Sequence, residues 1–133
     1  MKMSRRKLRE TIFLLLFRTE FHSRDELWDQ VDMYFEEQPD MDENDQTYIR
    51  GKLTAIVNNL DEYDAKIREI CDGWRLTRLG KTELAIIRLA VYEILMDDDI
   101  PTGVAINEAV ELAKIYCSEE APRFVNGVLA KLA

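Results

Sequence analysis

The sequence predicts an all-α fold, about seven helices in one compact domain over residues 1–133. Three observations carry that expectation. Apolar residues recur at three- and four-residue spacing through most of the chain, and no stretch of useful length alternates as a strand does. With three prolines and five glycines in 133 residues, there is room for few turns and hence for a few long elements. No repeat at solenoid periods competes with this reading. At this length one core can bury roughly two-thirds of the unfolded chain's surface.

Ser4 is placed to cap a first helix running to about Phe21, with Leu8, Ile12, Leu15, Leu16 and Thr19 as its core face. Arg6, Arg9, Phe13 and Phe17 fall on a neighbouring strip about 80° wide. The two phenylalanines read as a second core face. The cations do not read as structural, because positive charge at a helix N-terminus opposes the macrodipole at roughly 0.3–1 kcal/mol per residue. An external anion is the economical explanation.

Ser23-Arg24-Asp25-Glu26 is a capping box, opening a helix with Leu27, Val31, Tyr34 and Phe35 inward and stopping at Gln38-Pro39. A third helix is expected from about Asn44 to Asn59 on Ile49, Leu53, Ile56, Val57 and Leu60. Asn58-Asn59 and Asp61 suggest a break. A fourth helix then carries Tyr63, Ile67, Ile70 and Cys71, with Asp72-Gly73 as its exit and Trp74 and Leu76 packed under the loop. Thr77 or Thr82 caps a fifth helix to Met96, apolar on so many sides that it must be the buried centre.

Asp97-Asp98-Asp99 ends that helix. Three adjacent carboxylates without further ligands at proper spacing do not make a metal site, and none is expected. Pro101 presets a sixth helix in which Ile106, Ala109, Val110, Ala113 and Tyr116 form a buried stripe. Pro122 starts the last helix on Val125, Val128, Leu129 and Leu132. Asn107, Asn126 and Gly127 lie where helix propensity would not put them; satisfying buried backbone groups and allowing close helix approach are the expected reasons.

The formal net charge of −8 is unevenly spread. Residues 20–46 hold eleven acids against one base, Arg24. Those on the outer face of the second helix are expected to be a solvated surface. Lys2, Arg5, Arg6, Lys7 and Arg9 put five cations into the first nine positions with no acid. The low overall charge argues against a nonspecific polyanion binder. A local cationic site survives it, since screening confines each patch to about 8 Å. Cys71 and Cys117 form no ligand cluster with the lone His22 and are expected to be half-buried thiols of a cytoplasmic protein. No membrane span or signal peptide is expected: IFLLLF is six apolar residues, followed by Arg18 and Glu20. No phosphate-binding glycine loop, nucleophile elbow or zinc-protease motif occurs, and no nucleophile, base and oxyanion site assemble, so an enzyme is not expected and no cofactor is implied.

Two blocks, VAINEAVELAK (104–114) and FVNGVLAK (124–131), closely resemble the C-terminal signature of the NusB family of bacterial transcription antitermination factors. SRRKLRE (4–10) is similar to that family's arginine-rich start, and LGKTELAIIRLAVYEIL (79–95) to its central helix. Residues 20–75 match in helical pattern alone, and the short basic tail of some members has no counterpart here. The resemblance implies an RNA-binding accessory factor. It would recognise single-stranded boxA RNA in nascent ribosomal RNA leaders together with NusE, a ribosomal small-subunit protein, and help transcribing RNA polymerase resist termination. Carried onto this chain, it places RNA contacts on Arg5, Arg6, Lys7 and Arg9, with Arg123 and Phe124 near the same surface, and a NusE contact on Glu83. It also admits a homodimer. Two other readings stand beside it: a helical interaction or self-association module with little RNA affinity, and the detached helical domain of a ribosomal RNA methyltransferase.

Overall fold

The computed structural model describes residues 2–71 and 79–133 and is all-α. Seven α-helices run through the described residues: α1 (Arg5–Phe17), α2 (Arg24–Glu36), α3 (Glu43–Asn58), α4 (Leu60–Ile70), α5 (Lys81–Met96), α6 (Thr102–Tyr116) and α7 (Ala121–Leu129). Short 3-10 turns extend α1 over Arg18–Glu20 and α7 over Ala130–Leu132. The Asp72-Gly73 exit, the packing of Trp74 and Leu76, and the Thr77 cap lie outside the described residues. None of the described helices is long and apolar enough to cross a membrane.

Two compact units result, Met1–Val57 and Asn58–Ala133. They meet in sequence at the expected break, where Asn59 leaves helical geometry at φ −124° and ψ 24° before α4 begins. In the first unit the local signals act as expected. Ser4 Oγ accepts the Lys7 N–H at 3.1 Å, and Ser23 Oγ accepts the Glu26 N–H at 3.3 Å. Leu8, Ile12, Leu15 and Leu16 are buried, as are Leu27, Val31 and Phe35, then Ile49, Leu53, Ile56 and Val57. Phe13 is buried at 1% exposure, so it belongs to the core. Thr19 departs from the expected face: it is half-buried in the 3-10 turn, and its buried hydroxyl oxygen has no hydrogen-bond partner. Tyr34 and Leu60 are half-buried as well.

In the second unit α5 packs against α4, α6 and α7. Nine of its residues, from Leu84 to Glu93, are buried, which is the burial expected of a helix apolar all round. Its direction is tied to α4 by a two-pronged ion pair: Arg88 Nε and Nη2 donate to Asp64 Oδ1 and Oδ2, both at 2.8 Å. The Tyr63 and Tyr92 rings meet edge-on at 6.1 Å in the same seam. Lys131 Nζ donates to the Ile70 carbonyl at 2.7 Å, satisfying the C-terminal end of α4.

Three expectations are corrected here. Thr82 does not cap α5; the capping position is Gly80, with no side-chain cap, and Thr82 lies inside the first turn. The buried stripe of α6 is Ala105, Ala109, Leu112 and Ala113, while Ile106 and Val110 are half-buried and Tyr116 is exposed. Alanines let α6 pack closely, and its larger apolar residues flank the seam. Asn107, Asn126 and Gly127 are exposed, and a Cβ added at Gly127 would meet nothing within 4 Å. Neither a buried amide nor a close helix approach therefore explains them.

Candidate functional site

The start of α1 is built in three steps. Ser4 closes the first turn, with its carbonyl accepting the Leu8 N–H at 2.9 Å. The preceding segment is pinned to α3, where the Met3 N–H donates to Asp45 Oδ2 at 2.8 Å. Asp45 is 5% exposed, so this acid of the acidic segment is a structural anchor. Arg5, Arg6 and Lys7 then project from a first turn that holds no acid, and all three are exposed; Arg9, one turn on, is half-buried.

The contacts of Lys7 and Arg5 show how these cations are held against the chain. Lys7 Nζ is 2.9 Å from Glu10 Oε1, an exposed pair of the kind worth about 0–1 kcal/mol. The Arg5 guanidinium lies 5.7 Å from the Tyr48 ring centroid and reaches its hydroxyl at 3.4 Å. Lys52 Nζ approaches the same ring at 5.3 Å. Tyr48 is thus an aromatic flanked by two cations at the rim of a cleft of about 320 Å³ that Lys2, Arg5 and Asp45 also line. Nothing in the spacing of the sequence singles Tyr48 out, because its cations come from α1 and from its own helix, α3.

The remaining predicted residues meet in the second unit. Glu83, Arg123 and Phe124 line one cleft of about 730 Å³ together with Gly80, Glu119 and Glu120. Pro122 stands in the first turn of α7, as its fixed φ favours, and the Ala121 N–H donates to the Ser118 carbonyl at 3.1 Å. That turn leaves Arg123 exposed and Phe124 half-buried. Cys117, also half-buried, is hydrogen-bonded to Glu83. Burial first, then the Glu83 charge and this hydrogen bond, push its thiol up to about 11. Sequence reasoning missed Gly80 and Cys117 as neighbours of Glu83. The Gly80 signal was present, since a capping residue and an acid three positions later is a helix-start spacing.

Among the described residues no group of three His, Cys, Asp or Glu side chains could hold a metal ion. Asp97, from the three-acid loop, is 8% exposed, and its Oδ1 accepts the Asp99 N–H at 3.1 Å. Cations at one helix start and a mixed cleft beside another suit recognition of a polyanion and a protein surface.

Comparison with known proteins decides the family. The family model described as "NusB family" matches residues 6–133. The chain belongs to the NusB family. A transcription antitermination protein NusB from Agathobacter rectalis is 51% identical over 131 residues, covering 98% of this chain and 100% of the relative. A solved NusB structure from T. maritima matches with a TM-score of 0.87 at 36% identity, over 100% of this chain and 92% of that one. A second solved structure, of antitermination factors NusB and NusE in complex with double-stranded RNA, matches with a TM-score of 0.81 at 28% identity, over 96% of this chain and 94% of that one. As a member of the NusB family the protein is not an enzyme.

Proposed function

We propose that the protein is a transcription antitermination factor that binds boxA-type single-stranded RNA in nascent ribosomal RNA transcripts together with NusE. In this role it acts in the cytoplasm and helps RNA polymerase resist termination. The observation that carries the reading is the start of α1, where Arg5, Arg6 and Lys7 are exposed with no acid in the turn. Lys and Arg at such a site neutralise phosphates and set affinity, and contribute no base discrimination of their own. Arg123 and Phe124 add a cation and an aromatic face, on which one unpaired base stacks for about 1–3 kcal/mol. Glu83 is the NusE contact.

Four phosphate contacts, from Arg5, Arg6, Lys7 and Arg9, give a salt slope of about −3 in log K against log[salt]. Binding by the protein alone is therefore modest and salt-sensitive, which suits a factor that works with a partner.

Fluorescence anisotropy tests this with a boxA single strand, a scrambled strand and a boxA duplex, each with and without NusE at two salt concentrations. Preference for the boxA single strand, tightened by NusE and weakened by salt, is the expected result. Equal binding to all three RNAs in every condition would overturn the boxA reading. Tighter binding to the duplex would move the specificity to double-stranded RNA.

A further inference from the structure

The Glu83 carboxylate has two neighbours in the second unit, Gly80 at the start of α5 and Cys117 at the end of α6. The carboxylate folds back over Gly80: a Cβ at position 80 would overlap Glu83 Oε2 and stand 3.0 Å from Cδ. Gly80 itself has φ −61° and ψ 149°, extended geometry that any residue adopts, so backbone conformation does not require glycine there. What requires it is the space the carboxylate occupies. The Cys117 thiol, at the end of α6, is hydrogen-bonded to the same carboxylate. A free glutamate samples many rotamers, and a partner that binds it must first arrest that motion.

We propose that Gly80 and Cys117 are positioning residues for Glu83, the first by leaving the space its carboxylate fills and the second by donating a hydrogen bond to it, so that the carboxylate is in place before a protein partner arrives. This rests on Glu83 being the contact to NusE. Because the Cys117 thiol is protonated up to about pH 11, it remains a donor throughout the neutral range. Gly80, Glu83 and the Arg123–Phe124 turn line the same cleft, so the carboxylate is held where a docked protein can reach it.

The test is NusE binding by isothermal titration calorimetry on the full chain. Gly80→Ala and Cys117→Val each weaken NusE binding about tenfold, the loss of one well-placed charged hydrogen bond. Cys117→Ser, which keeps a donor, stays within about twofold of the parent protein. Helix content and thermal midpoint stay near those of the parent, because a Cβ at position 80 displaces the end of a flexible side chain and not backbone. In a Glu83→Ala background neither substitution changes affinity further. Parent-like binding by Gly80→Ala and Cys117→Val, with Glu83→Ala weakened, would overturn the positioning roles alone. Parent-like binding by Glu83→Ala would overturn the Glu83 contact and the proposal with it. An equal loss in the Glu83→Ala background would show that the two residues act through the fold, which also overturns the proposal.

Discussion

The helix starts of α1 and α5 break opposite rules. The first has a good cap and the wrong charge: Ser4 accepts the Lys7 N–H, yet the turn carries three cations and no acid. The second has the right charge and no side-chain cap: Glu83 lies in the first turn, yet the capping position is a glycine. The first start gives up about 1–3 kcal/mol in dipole energy over its three cations, the second only a few tenths of a kcal/mol in capping. A helix start that departs from local optimality in one respect only is informative. At α1 the departure leaves cations facing outward; at α5 it makes room for a carboxylate.

The sharpest way to break this comparison is charge reversal at α1. Arg5→Glu with Arg6→Glu should weaken RNA binding by more than about a hundredfold, two charged contacts at about 1.5–3 kcal/mol each, read by anisotropy. The same variant should fold at least as stably as the parent, because acids now face the N-terminal end of the dipole. Thermal melts check that sign. A loss of stability would mean the arginines are structural and the anion argument is wrong.

Removing the cap is the smaller counterpart. Ser4→Ala should cost about 1 kcal/mol by denaturant titration, since it leaves the Lys7 N–H without its side-chain acceptor. Any RNA effect should follow the fraying of the first turn and be well below that of the charge reversal. At α5, Gly80→Ala should leave stability within about 0.5 kcal/mol, since the added methyl meets a movable side chain.

A further effect is one of pH. Cys117 is raised from 9.0 to about 11 in the folded protein, so the folded state binds this proton more tightly than the unfolded chain does. Stability from this source is complete below about pH 9 and is lost as pH rises toward 11. Tyr63, raised from 10.0 by burial and by Tyr92 and Glu62, adds to the fall at the upper end. Urea titrations from pH 8 to 11 should show the decline, and Cys117→Ser should flatten its lower part.

Much of this was legible in the sequence because it is local. The serine caps, the break at Asn58-Asn59 and the core stripes of α2, α3 and α4 depend on residues within a few turns of one another. The face of α6 was misread because the helix carries large apolar residues beside its alanine seam. Val104, Ile115 and Tyr116 stay exposed, so periodicity alone admits two stripes. Asn126 and Gly127 were misjudged on residue type, although the spacing of Val125, Val128 and Leu129 already turned them outward. The partners of Arg5 and Glu83 could not be read at all. Tyr48 is 43 positions from Arg5, and Cys117 reaches Glu83 from the end of another helix.

The central claim is that the first turn of α1 binds phosphate. It is tested most directly by the salt dependence of boxA RNA binding for the parent protein and for Arg5→Ala with Arg6→Ala. The account predicts a slope of about −3 for the parent and a loss of about 1.4 in its magnitude for the variant, two phosphates at about 0.7 each. An unchanged slope, whatever the affinity, would contradict it.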